Sequence, residues 1–229
     1  MFINDSMTQK ITTITRETTL LEARELMARN NIRHLPVVAS DGRLVGMVTD
    51  RDLRSALPGD GIRQPLTGAQ REAYAELTAE DIMSSDLIVV EPTYTIQDAL
   101  LLFQKNKVGA LPVVDESGRL KGIVSIRDIL RAFINVLGIG QPGTLLGILV
   151  EEKVGQLKKI VDAITEENIS FGSILVARYW EKDMRAVFLY LLTNNVSRVK
   201  KKMRDFGRVR CQQNRDRLTC VPELRSFFI

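Results

Sequence analysis

A duplication limits what this chain can fold into more than any other feature. Sliding residues 7–54 forward by 76 places them on 83–130 without a gap, and 16 of the 48 positions are then identical. The pairs include Met7/Met83, Thr19/Thr95, Ala23/Ala99, Leu26/Leu102 and Asn30/Asn106. The match is densest where Leu35-Pro36-Val37-Val38 meets Leu111-Pro112-Val113-Val114 and Gly42-Arg43-Leu44 meets Gly118-Arg119-Leu120. Gly46/Gly122, Val48/Val124, Arg51/Arg127 and Asp52/Asp128 complete it. One copy holds too little apolar surface for a core of its own, so the two copies are expected to share one.

Each copy reads as β-α-β-β-α. A short β-prone run, Ile11–Ile14 or Leu87–Val90, comes first. A helix follows, opened by Thr19-x-x-Glu22 or Thr95-x-x-Asp98, a spacing that lets hydroxyl and carboxylate take up orphan backbone donors. The runs His34–Val38 and Ala110–Val114 predict a strand. A turn at Asp41-Gly42 or Ser117-Gly118 leads to a second strand, giving a hairpin. That strand ends at Val48 or Val124, where Thr49-Asp50-Arg51-Asp52 or Ser125-Ile126-Arg127-Asp128 opens another helix.

The pattern Pro-Val-Val, Gly, Gly-hydrophobic-Val-[Ser/Thr] and Asp, present twice in this order, resembles the tandem CBS-domain pair, or Bateman module, over roughly residues 1–135. The resemblance implies a regulatory module that takes AMP, ADP, ATP or a related adenosyl ligand in clefts between the repeats. The residue types suit such a ligand in their own right. Thr49 and Ser125 stand where a strand turns into a helix, so a hydroxyl and free N–H groups can face a phosphate. Asp52 and Asp128, nearly one helical turn on, present acceptors that match ribose hydroxyls. Arg51 and Arg127 add positive charge, as Arg33 does in the first copy only, and Ile126 takes the place of Asp50. Asp50 is expected to repel phosphate, which makes the second site the friendlier to a polyphosphate. Leu35 and Pro36, or Ala110, Leu111 and Pro112, offer an apolar wall for adenine. By the family likeness, Thr13 and Ile14, or Val89 and Val90, close the other side. The alternative is that Thr49 and Ser125 are simple helix caps and the two aspartates ordinary first-turn acids. His34 reads as a packing residue or a ligand contact.

Residues 58–80 are polar, then helix-prone from Ala69 to Leu77, and read as a surface excursion with no evident chemistry. Gly138–Gly143 reads as a linker. From Thr144 the pattern changes to a strand through Val150, then an amphipathic helix over 154–167 with Leu157, Ile160, Val161 and Ile164 on one face. Strands over Phe171–Trp180 and Arg185–Leu192, a basic helix over Val196–Phe206 and a strand near Arg208–Gln212 follow. The order β-α-β-β-α-β is that of the ferredoxin-like split βαβ. The turn Glu151-Glu152-Lys153-Val154-Gly155-Gln156-Leu157 resembles the first turn of ACT domains. That likeness implies a second effector site at Glu152, Val154 and Gly155, although Glu152 and Val154 replace the family's Asp and Pro. The fold class is therefore α+β. The expected organisation is repeat 1 over 1–58, the excursion over 59–80, repeat 2 over 81–137, the linker over 138–143, the ACT-like domain over 144–213 and a tail over 214–229. The tandem with its C-terminal domain resembles the acetoin-utilisation B proteins, which implies a regulator of carbon metabolism.

Composition narrows the function. One histidine excludes any site needing two imidazoles, and two cysteines offer neither a disulfide framework nor a thiolate metal cage. There is no G-x-S-x-G elbow, Walker loop or H-E-x-x-H. No apolar run nears the roughly 18–20 residues that span a bilayer, and the first ten residues do not read as a secretory signal, so a cytoplasmic protein is expected. Residues 1–142 carry 16 basic and 18 acidic side chains, residues 143–229 carry 16 and 10. Nine basic and two acidic residues fall between Arg198 and Arg217, which opens nucleic-acid binding as an alternative. A purely dimerising scaffold is another. The sequence reading is a non-enzymatic, metal-free nucleotide sensor, expected as a homodimer, acting on its ACT-like domain or on a protein partner.

Overall fold

The computed structural model describes residues 1–56, 68, 72, 76–178 and 183–214. The chain divides after Leu130 into two compact units, Met1–Leu130 and Arg131 onward.

The first unit is built from the duplication. Helix α1 (Leu20–Asn30) and strands β1 (His34–Val38) and β2 (Leu44–Thr49) lead into α2 (Asp50–Ala56). After the short helix α3 (Ala79–Ile82) the set recurs as α4 (Ile96–Asn106), β3 (Ala110–Val114), β4 (Leu120–Ser125) and α5 (Ile126–Val136). Both longer helices open on the anticipated capping box. The Glu22 and Thr95 backbone contacts show it: Glu22 N–H donates to the Thr19 hydroxyl at 3.2 Å and Thr95 N–H to the Asp98 carboxylate at 2.9 Å. Both hairpins turn on a glycine in left-handed backbone, Gly42 at φ +83° and Gly118 at φ +76°, a conformation that side chains with a Cβ resist. Both hairpins carry an irregularity at the same place, between Val37 and Val38 and between Val113 and Val114.

The first β-run of each copy is reduced to a single parallel bridge, Ile14 to Val37 and Val90 to Val113. Proline explains why no strand forms. The Ile14 N–H donates to the Pro36 carbonyl at 3.0 Å and the Val38 N–H to the Ile14 carbonyl at 2.9 Å. The next rung back would need an N–H on Pro36, which has none. Pro112 truncates the pairing at Val90 in the same way.

The copies are joined by contacts that occur in reciprocal pairs under the 76-residue offset. Phe2 bridges Thr95 and Thr19 bridges Thr78; Thr8 bridges Ile123 and Met47 bridges Ser84; Arg43 meets its own equivalent, Arg119. Each copy thus lends the segment before it to the other, in a self-complementary two-fold arrangement. The core of the first copy, which includes Leu20, Ala23, Met27, Leu35, Val37, Val48 and Leu53, also contains Ala79. The second copy buries the equivalents of these residues, Ile96, Ala99, Phe103, Leu111, Val113, Val124 and Ile129, along with Ile3. Residues 77–80 therefore belong to the module and not to an excursion, since Leu77 and Ala79 pack in that core. The helix expected over Ala69–Leu77 falls almost wholly outside the described residues.

The second unit follows β5 (Gly143–Glu151), α6 (Gln156–Thr165), β6 (Phe171–Arg178), β7 (Met184–Leu191), α7 (Ser197–Met203) and β8 (Arg208–Asn214). Its antiparallel sheet has the order β6-β7-β5-β8. Alternate residues Leu146, Ile148 and Val150 of β5 and Val187, Leu189 and Leu191 of β7 face one core with Ile160, Ala163, Ile164, Val199 and Met203 of the helices. Leu157, expected on that helix face, is 41% exposed, because the buried stripe of α6 runs through Ile160, Ala163 and Ile164. Gly143 belongs to β5 and not to a linker: a Cβ there would stand 2.5 Å from the Leu191 carbonyl.

Candidate functional site

The first unit contains a cleft of about 430 Å³, within the range of small-molecule sites. Its lining comes from both copies. The first supplies Arg33 and His34 at the start of β1, Met47 and Thr49 of β2, and Asp50, Arg51, Asp52 and Arg54 of α2. The second supplies Ser84, Asp86, Leu87 and Ile88 from its extended run, then Lys107, Val108, Gly109, Ala110 and Pro112 around the start of β3. One wall is therefore apolar, through Leu87, Ile88, Val108, Ala110 and Pro112. Arg33, Arg51, Arg54 and Lys107 bring positive charge.

Thr49 and Asp52 are engaged with each other. The Thr49 hydroxyl donates to Asp52 Oδ2 at 2.7 Å, the Thr49 N–H donates to the same oxygen at 2.8 Å, and the Asp52 N–H donates back to the hydroxyl at 3.3 Å. Ser125 and Asp128 repeat the arrangement at 2.6, 2.9 and 3.3 Å, with Asp128 buried. Both pairs thus cap their helices, as the structural alternative required. Asp50 carries less weight against an anion than its charge suggested. Its carboxylate is 14% exposed and paired with Arg54 at 2.9 Å, so its charge is met within the helix.

His34 pairs with Thr49 in the hairpin register, and the Asp50 N–H donates to the Arg33 carbonyl at 3.0 Å. The imidazole spans to the second copy, with Nε2 3.3 Å from the point where a Cβ on Gly109 would stand. Burial first, and then the Arg33 charge, hold its pKa below the ordinary 6.5, against the opposing pull of Asp50 and Asp52.

Of the residues singled out from sequence, the cleft gathers Arg33, His34, Thr49, Arg51, Asp52, Ala110 and Pro112. Leu35, Leu111, Ile14 and Val90 are buried in the cores and present no side chain to it. Pro36 is buried too, whereas Thr13 and Val89 are exposed outside it. Ser125, Ile126, Arg127 and Asp128 occupy the equivalent place in the second copy and do not line this cleft. Lys107 escaped the sequence reading. It follows α4 in left-handed backbone, φ +54°, as Asn31 does after α1 at +53°; aligning the helix ends of the repeats would have shown a cation after one helix and an amide after the other.

In the second unit, Glu152, Val154 and Gly155 lie on the exposed turn after β5. The Glu152 carboxylate is paired with Arg185. Val154 projects wholly into solvent, and Gly155 takes φ +90°. In the basic stretch, Lys202 is tied to Glu167 at 2.7 Å and Glu166 at 2.9 Å, so part of its charge is met inside the unit. Among the described residues, no group of three or more His, Cys, Asp or Glu side chains could hold a metal ion. Among them, too, no helix is long and apolar enough to cross a membrane.

The CBS domain family matches residues 3–59 and 79–135, two segments separated by the same 76-residue offset. A CBS domain-containing protein of Dictyostelium discoideum is 36% identical over 138 residues, covering 60% of this chain and 94% of that protein. The uncharacterized protein MJ1225 of Methanocaldococcus jannaschii is 36% identical over 132 residues, 57% of this chain and 46% of that protein. The chain thus spans about half the length of that relative. The crystal structure of MJ1225 aligns at 34% identity with a TM-score of 0.50, over 58% of this chain and 47% of that one. A crystal structure of a Vibrio cholerae protein assigned to acetoin utilization aligns at 30% identity with a TM-score of 0.52, over 61% of this chain and 95% of that one. The chain belongs to the CBS-domain family, and its repeats are a CBS pair.

Proposed function

We propose that the CBS pair binds an adenine nucleotide or related adenosyl ligand in the cleft between the copies and that the protein is a regulator, not an enzyme. The observation that carries this reading is an apolar wall drawn from the second copy beside cations drawn from both copies, Arg33, Arg51 and Arg54 from the first and Lys107 from the second. A purine fits the wall formed by Leu87, Ile88, Val108, Ala110 and Pro112. A phosphate fits the rim at Arg33, Arg51, Arg54 and Lys107. A ligand that touches both copies favours one angle between them, which is the differential affinity a sensor needs. The same logic extends to the equivalent site at Ser125, Arg127 and Asp128. The second unit, with its β-α-β-β-α-β order, acts in this reading as an ACT-like receiver over residues 144–213, in a cytoplasmic homodimer serving carbon metabolism.

The test is calorimetric titration of the full chain with AMP, ADP, ATP and S-adenosylmethionine, on wild type, Lys107→Ala and Arg51→Ala. Both side chains are exposed, and although Lys107 is the C-cap residue of α4 it caps through its backbone N–H to the Phe103 carbonyl, which the substitution keeps, so loss of either side chain reports on binding. Saturable binding of the nucleotides is expected, weakened about tenfold by either substitution, the equivalent of ~1.4 kcal/mol. Absence of heat with every ligand would overturn the reading and leave a dimerising scaffold.

A further inference from the structure

The cleft holds the chain's single histidine. His34 lies across the join between the copies, its ring against Gly109 of the second. The charged groups around it come from several elements: Arg33 just before β1, Asp50 and Asp52 on α2, and, on the rest of the lining, Arg51, Arg54, Asp86 and Lys107. Asp50 is occupied by Arg54 and Asp52 by Thr49. An imidazole is the side chain whose ordinary pKa stands closest to neutral pH, and the described lining of this cleft includes one. Its equivalent in the second copy is Ala110, which cannot titrate.

We infer that His34 is a proton-linked affinity switch for this cleft, its protonation strengthening the hold on a phosphate-bearing ligand so that the site tightens as pH falls. The inference rests on the cleft being the nucleotide site proposed above. Burial first, and then the Arg33 charge, favour the neutral ring. A bound phosphate places negative charge beside the ring and favours the imidazolium. Linkage then runs both ways: if the anion raises the affinity for the proton, the proton raises the affinity for the anion by the same factor.

Because there is one histidine, its ring proton resonance is unambiguous in the full chain. Proton NMR between pH 5 and 8, with and without saturating AMP, should give a midpoint below 6.5 for the free protein and a rise of about one pH unit with AMP, which corresponds to about a tenfold change in affinity. AMP affinity is measured in parallel at pH 5.5 and 8 on wild type and His34→Gln. The AMP phosphate itself ionises near pH 6, equally for both proteins, so the ratio of their affinities isolates the imidazole. That ratio should change about tenfold across the range. A constant ratio with an unmoved midpoint would overturn the switch and leave the nucleotide site standing. No binding of AMP, ADP, ATP or S-adenosylmethionine at any pH would overturn both.

Discussion

At the scale of single residues, Asp52 and Asp128 are helix caps before they are anything else. Each accepts from a hydroxyl and a backbone N–H three residues earlier. Asp128→Ala is expected to lower stability by about 1–2 kcal/mol, the upper part of the range for lost caps because the group is buried. Thermal unfolding without ligand measures it, and an unchanged Tm would show that the cap contributes nothing. Loss of ligand binding in such a variant would therefore not by itself locate a ribose contact. His34 also has a signature in the free protein. Its folded pKa is lowered, so the unfolded chain binds the proton more readily, and stability is full above pH 6.5 and declines as pH falls through that value. Between pH 7.5 and 5.5 the wild-type Tm should fall more steeply than that of His34→Gln. Parallel slopes would contradict this.

At the scale of elements, the contact between the copies depends on two glycines. Met83 Sδ stands 2.4 Å from where a Cβ on Gly46 would be, and Met7 Sδ stands 2.4 Å from the same point on Gly122, where the Thr8 carbonyl is also 3.2 Å away. Gly122→Ala should cost about 1–3 kcal/mol through overpacking. The double variant Met7→Ala/Gly122→Ala should cost less than the sum of its parts, which chemical denaturation of the four proteins would read as a coupling energy. Additive costs would show that the pair does not touch. Gly207, ahead of β8, has no comparable escape. A Cβ there would lie 2.1 Å from the backbone carbonyl of Leu149, so Gly207→Ala must shift β5 or β8 and should be more damaging than Gly122→Ala.

At the scale of the whole molecule, the chain divides into two compact units, and among the described residues the core beneath the four-stranded sheet is separate from the core of the first repeat. Unfolding is then expected to depart from two-state behaviour, with a calorimetric enthalpy larger than the van't Hoff value. Equal enthalpies would show that the two units unfold as one. A nucleotide at a hundred times its Kd should stabilise the CBS pair by about 2.7 kcal/mol.

Much of this was written in the residues. The 76-residue period, the capping boxes at Thr19 and Thr95, the glycine turns at Gly42 and Gly118 and the alternation along β5 are local patterns, and local backbone chemistry suffices to read them. Even so, the period begins earlier than the identities show. Phe2 N–H donates to Asp5 at 3.3 Å as Thr78 N–H donates to Asp81 at 2.8 Å, although Asp5/Asp81 is the one identity between residues 2–6 and 78–82. Burial of Ile3 and Ala79 and the shared hydrogen bond keep the geometry there although the side chains differ. The tertiary structure alone decided what shares the cleft. The copies exchange their leading segments, so Thr49 and Arg51 of the first face Ile88 and Lys107 of the second, a juxtaposition that no spacing along the chain encodes. The Asp50–Arg54 ion pair is the opposite case, an i,i+4 contact within α2 that spacing along the chain does encode.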